Sequence, residues 1–251
     1  GVIQSGGALA LTGSSLANDR GAVLALGSDT LTLGFTGVMS GSGGQIGGNG
    51  DVSVRAGALG IDGVAGSITA SKALDLNVDG DFTITGKGLV AGGGATTANV
   101  GALGVIEGGL QGGSALTVRA GSVTIGSGGQ VSGGSVTADT VGTMTNAGLI
   151  ATAGRVDLTA ATLTNTGTIS GNGGTSLKAA GLVAQDGLVA SDGAIDINAG
   201  AFTSRGGTVE AGGALGVTAG SVALDRASLT ALGSGTLTLA SRGALTAAGT
   251  R

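Results

Sequence analysis

The chain has 251 residues, a formal net charge of −4 and 57 glycines, with no Pro, Cys, His, Tyr or Trp. Gly without a three-residue period excludes collagen, and 41% hydrophobic content with only 10% charge excludes a disordered chain. The 11 basic residues are scattered singly, so no patch suits a nucleic-acid backbone, and zero Cys removes disulfides and thiol chemistry.

Along the chain, short apolar runs of period two open at Leu9, Leu31, Val52, Leu74, Thr96, Leu116, Val136, Val156, Thr175, Ile195, Leu215 and Leu237. The eleven spacings between them cover 228 residues, lie between 19 and 22, and average 20.7. Within one unit the pattern also repeats. From Leu116 the apolar residues are Leu116, Val118 and Ala120, then Val123 and Ile125, then Val131. From Leu215 they are Leu215, Val217 and Ala219, then Val222 and Leu224, then Leu229 and Ala231. A spacing of two marks one face of a short strand, and the Gly, Ser, Asn and Asp between groups supply bends. Each unit therefore predicts a coil of three short strands.

One such coil cannot fold alone. Ordering its backbone costs on the order of 1–2 kcal/mol per residue, while each buried Val, Leu or Ile returns roughly 1.5–3 kcal/mol. Stacked coils pair strand to strand and align their apolar residues in columns. The expected fold is all-β, a right-handed parallel β-helix (solenoid) of about 12 coils with ~20–21 residues per coil, and residues 1–251 read as a single β-helical segment. At about 4.8 Å per coil the rod is on the order of 55 Å long. The Gly-rich stretches 92–94, 112–113, 133–134, 173–174 and 212–213 are expected on one corner, serving bends with φ > 0. Uncapped ends imply end-to-end association of the segment.

Alternative folds fit less well. A calcium-binding β-roll needs tandem G-G-x-G-x-D units, and in Gly47-Gly48-Asn49-Gly50-Asp51 the Asp falls one residue early, without a tandem copy. The L-x-x-L-x-L frame of leucine-rich repeats is missing, as are the aromatics of a propeller. The uncharged stretches 88–106 and 120–138 are interrupted by Gly, Ser and Thr, so neither reads as a membrane span. No basic start precedes an apolar run near residue 1, so the chain reads as mature or as an internal segment of something longer.

A sub-motif recurs in Thr162–Ser170 (TLTNTGTIS), Thr143–Ala151 (TMTNAGLIA) and Ser15–Ala25 (SLANDRGAVLA), with looser copies in Leu182–Ala190 and Phe202–Ala211. An apolar residue is followed two later by Asn, then Gly, then an apolar strand. This pattern resembles the haemagglutinin repeats of the filamentous haemagglutinin family, the large exoproteins of Gram-negative two-partner secretion. The resemblance implies a secreted or cell-surface fibre, exported unfolded through an outer-membrane two-partner secretion transporter. The implied partner is a host cell-surface receptor or glycan, with no nucleic acid and no membrane span. Such repeats also occur in the shafts of contact-dependent growth inhibition exoproteins, so the implied role is either the shaft of a filamentous adhesin or the stick of a toxin-delivery protein. The Asn-Pro-rich secretion sequence of family amino termini is missing, since the chain has no Pro, and no Arg-Gly-Asp triplet is present.

No catalytic, cofactor-binding or metal-ligating residue is expected. Asn18, Asn146 and Asn165 read as turn residues whose amides bond backbone and stack between coils, Asn146 and Asn165 being one coil apart. The carboxylates Asp75, Asp79 and Asp81, flanked by Lys72 and Lys87, could suggest a cation site or an acid/base pair, but their alternation with Leu76 and Val78 points them outward. Asp186, Asp192 and Asp196 read the same way, and Asp19-Arg20 and Asp225-Arg226 as surface charges. Without His or Cys the remaining nucleophile–base pair is Ser71–Lys72, whose side chains would face opposite ways along a strand. Phe82 and Phe202 are expected in the interior, in the column of Leu163 and Val222. Phe35 is expected in the core with some exposure.

Overall fold

The computed structural model describes residues 1–249, and among them there are 28 strands and no helix. Every strand pairing is parallel and all 28 strands form one continuous sheet. The coil openings predicted from periodicity all fall on a single ladder: Leu9 pairs with Leu31, Leu31 with Val52, Val52 with Leu74, and so on to Leu215 with Leu237. The molecule is a parallel β-solenoid of twelve coils, numbered 1 (opening at Leu9) to 12 (opening at Leu237).

Two more inward columns complete the interior. The second strand of each coil contributes Leu16, Met39, Leu59, Phe82, Leu103, Val123, Met144, Leu163, Val183, Phe202, Val222 and Leu245. The third contributes a run from Ile3 and Val23 through Ile150 and Ile169 to Leu229. Phe82 and Phe202 are fully buried in the expected column. Phe35 is also buried, at 7% exposure, because its register partner is Gly13. A Cβ on Gly13 would lie 3.3 Å from the Phe35 ring, so the ring fills the space that glycine leaves.

The strands are less separate than the sequence suggests. In coils 5 and 6 pairing runs almost unbroken around the coil, over Thr96–Gly112 and Leu116–Gly133. In coils 4, 9, 10 and 11 the first two strands fuse, as in Leu74–Ile84 and Thr175–Gln185. Register slips at Val78/Asp81, Val105/Glu107 and Ala179/Leu182 absorb the bends, so the ladder turns the corner instead of ending there.

The glycine corner also needs correcting. The five predicted stretches do share the corner before the first strand, yet of their glycines only Gly174 has positive φ. Most positive-φ residues, among them Arg20, Gly43, Gly63, Gly86, Gly206 and Arg226, lie at the corner between second and third strands. What favours glycine elsewhere is proximity. At the first-to-second-strand corner a Cβ on Gly121 would lie 2.6 Å from the carbonyl oxygen of Gly101, and one on Gly142 would lie 2.7 Å from that of Gly121. Successive backbones pass too close there for a side chain.

Candidate interaction surface

The three Asn of the repeated motif point inward. Asn18, Asn146 and Asn165 all hold the second inner position of the second strand and are buried, Asn165 completely. Elsewhere that column is filled by Ile61, Ile84, Val105, Ile125 and Leu224. The amides stack as expected of a ladder. Asn146 Nδ2 donates to Asn165 Oδ1 at 2.7 Å, and Asn165 Nδ2 donates to Gln185 Oε1 at 2.7 Å. Each amide also binds the third strand of the next coil, on the carbonyls of Thr168, Leu188 and Thr208. Gln185, which the sequence reading did not single out, is fully buried and is the third rung. Ser204 follows it, its hydroxyl donating to the Gln185 carbonyl.

The ladder has a backbone consequence. From Asn146, Asn165 and Gln185 the chain reaches the third-strand column in four residues, at Ile150, Ile169 and Val189. From Asn18, Ser204 and Leu224 it needs five, to Val23, Val209 and Leu229, and from Ile61 seven, to Ile68. The tightest corners are those in which a buried amide supplies hydrogen bonds the shortened turn lacks, as where Gly148 N–H donates to Asn146 Oδ1 at 3.2 Å.

The carboxylates lie outside. Asp75, Asp79 and Asp81 are all exposed, as are Asp186, Asp192 and Asp196. Asp75 accepts from Asn77 at 3.1 Å, and Asp186 accepts the backbone N–H of Arg205 at 2.8 Å. Among the described residues no group of three or more His, Cys, Asp or Glu could hold a metal ion. Asp225 and Arg226 form an exposed pair at 3.4 Å. Ser71 and Lys72 are not on a strand as expected. They occupy the exposed corner between Ser67–Ala70 and Leu74–Ile84, where the chain must turn.

What remains is the outer surface, and its three faces differ. The second-strand face carries Ser40, Gly60, Thr83, Gly104, Thr124, Thr145, Thr164 and Thr203 in one uncharged column. The third-strand face carries mostly small residues and Gln, with the charge of Glu210 and with Leu89 and Leu149 among its exposed apolar side chains. The first-strand face holds Thr, Ser and Asn with single charges, among them Arg55, Asp75, Arg119, Asp139, Asp157, Lys178 and Asp196. A shallow depression on it is lined by Arg155, Ser176, Lys178, Asp196, Asn198 and Thr218. Among the described residues the depressions on these faces gather no cluster of reactive groups.

The haemagglutinin repeat family model matches residues 1–35, 151–219 and 190–249, which together make up more than half of the chain. The chain belongs to the haemagglutinin repeat family. The matched parts contain Asn18, Asn165 and Gln185 of the inner polar column, and the unmatched stretch 36–150 keeps the same register, with Ile61, Ile84, Val105, Ile125 and then Asn146 in that column. Family and fold are those of structural, adhesin-type proteins found outside the cell or on its surface. No curated protein and no solved structure matches the chain.

Proposed function

We propose that the chain is part of the rigid shaft of a filamentous adhesin that attaches a Gram-negative bacterium to host cells, exported by a two-partner secretion transporter. The observation that supports this reading is the unbroken twelve-coil register, from Leu9 to Leu237 on a single ladder. A dry core whose columns run the length of the rod resists bending, so the shaft holds distal surfaces away from the cell. Export unfolded suits a chain without Cys, in which no disulfide can form early. Coil-on-coil stacking then lets folding proceed as the chain emerges, since each coil needs only its neighbour. The receptor is met by the Thr-, Ser- and Gly-rich outer faces.

The test is saturable binding of the purified, labelled chain to epithelial cells and to bacteria, beside a β-solenoid control of equal length. Attachment predicts binding to epithelial cells above control, competed by unlabelled chain. Binding to bacteria alone would overturn it in favour of toxin delivery, and binding to neither would remove host attachment from this stretch.

A further inference from the structure

Once the coils are in register, the charges of the first-strand outer face acquire an order that the linear sequence conceals. Two outward columns run along this face, one from Thr32 through Ser53, Asp75, Thr97, Thr117, Thr137, Asp157 and Ser176 to Asp196. The other runs through Arg55, Asn77, Asn99, Arg119, Asp139, Thr159, Lys178 and Asn198. By coil, the charge is positive at 3 (Arg55), negative at 4 (Asp75), absent at 5, positive at 6 (Arg119) and negative at 7 (Asp139). Coil 8 is neutral overall, because Arg155 and Asp157 pair with each other at 2.8 Å. Coil 9 is positive (Lys178) and coil 10 negative (Asp196). Asp51, Lys72 and Asp79 lie at the corners beyond the columns, as does Arg155, which enters the series only through its pair with Asp157, and Asp51 already accepts the Ala73 N–H at 3.0 Å.

This series is its own complement when reversed. We propose that the first-strand face docks against the same face of a second copy, antiparallel, about a two-fold axis between coils 6 and 7. Coil 3 then faces coil 10, coil 4 faces coil 9 and coil 6 faces coil 7. Arg119 meets Asp139 directly, while Arg55 reaches Asp196 and Asp75 reaches Lys178 diagonally, across one column or ~7 Å, each contact occurring twice by symmetry. Uncharged coil 5 faces coil 8, the coil whose two charges neutralise each other. The depression lined by Lys178, Asp196 and Asn198 receives Arg55, the longest side chain opposite it. Among the described residues Arg55, Arg119 and Lys178 have no ion-pair partner within their own chain, although Arg119 and Asp139 are register neighbours.

Parallel pairing in register sets each coil against its own charge. A parallel pair staggered by one coil matches on charge (Arg55 with Asp75, Arg119 with Asp139, Lys178 with Asp196), but it has no two-fold axis and would add further copies instead of closing as a dimer. Sliding the antiparallel pair by one coil brings Arg119 onto Arg119 in one direction and Asp139 onto Asp139 in the other. The available area also fits: a face of ~55 Å by ~16 Å is roughly 900 Å² per copy, against about 800 Å² per partner in ordinary stable interfaces. Exposed ion pairs are individually weak and screened by salt, so the association falls as ionic strength rises. Antiparallel pairing suits fibres that meet from two facing surfaces.

Sedimentation velocity of the full chain tests this. The expected result is a dimer at low salt that dissociates at high salt. Arg119→Asp and Asp139→Arg each weaken it at least tenfold, and the double swap R119D/D139R restores it, because the exchanged charges still face each other. Both positions are exposed, and because they are register neighbours each single swap also sets like charges side by side within its own chain, so circular dichroism of each variant checks that the solenoid is retained. Geometry is tested by Asn99→Cys with Thr159→Cys. These positions face each other across the proposed interface, but lie three coils or ~14 Å apart within one chain, beyond disulfide reach. Oxidation should give a covalent dimer. A monomer at all salt concentrations, a dimer indifferent to the charge swaps (as end-to-end stacking would be), or a dimer that the paired cysteines do not cross-link would overturn the proposal.

Discussion

Replacing Asn165 by Ala tests how much the buried amide ladder holds. The substitution removes the only donor to Gln185 Oε1, at 2.7 Å, and the Oδ1 that receives Asn146 Nδ2. It also removes the donor that ties Leu188 O to the coil above, at 3.2 Å. A buried group left without a partner costs ~1–3 kcal/mol, and the lost neutral hydrogen bonds add about 1 kcal/mol, so the expected loss is roughly 2–4 kcal/mol. Solenoids open locally coil by coil, so the loss should appear in hydrogen exchange of coils 7 to 10 as roughly 30- to 1,000-fold faster opening. Coils 2 and 3 should be unaffected. The control is Asn198→Ala, an exposed Asn on the outer face, where a change within ~0.5 kcal/mol is expected. If Asn165→Ala matches this control, the ladder is not a structural element. The double variant N165A/Q185A should cost less than the sum of the singles, because the second change removes the acceptor the first one orphaned.

Two further substitutions probe the core and the corners. Thr175 Oγ1 is buried without a hydrogen-bond partner, between Val156 and Ile195 in the first-strand column. Thr175→Val should therefore stabilise by about 1 kcal/mol, and a thermal melt that moved downward would contradict that reading. Gly142→Val should destabilise by ~1–3 kcal/mol, because its Cβ would lie 2.7 Å from the Gly121 carbonyl oxygen that accepts the Gly142 N–H. An unchanged urea midpoint would show that the corner has more room than the backbone spacing indicates.

The coil period is legible because inward positions need Val, Leu or Ile at spacing two, and the sequence keeps that requirement from Leu9 to Leu237. Phe82 and Phe202 can be assigned on the same grounds. The inner amides are only half legible. The Asn of the motif read as turn residues that bond backbone and stack between coils, without a sign that they hold core positions, and Gln185 sits in a loose copy of the motif. The available signal is spacing: Asn165 to Ile169 and Gln185 to Val189 are one residue shorter than Leu224 to Leu229. Glycine at the corners reads as conformational freedom, whereas its cause at Gly121 is the backbone of the next coil, which no local pattern reveals. The outer charge order is hidden for a related reason. Arg119 and Asp139 stand twenty positions apart and become neighbours only through the register.

The central claim is a rod of constant rise per coil, and distances between spin labels along one outward column test it most directly. Thr32, Thr117 and Thr238 lie on the first such column, in coils 2, 6 and 12. With labels at these sites, diluted into unlabelled protein to suppress distances between copies, separations of ~19 Å for Thr32–Thr117 and ~48 Å for Thr32–Thr238 are expected, both narrowly distributed. Separations that do not scale with coil number, or a broad distribution for the longer pair, would contradict a rigid solenoid shaft.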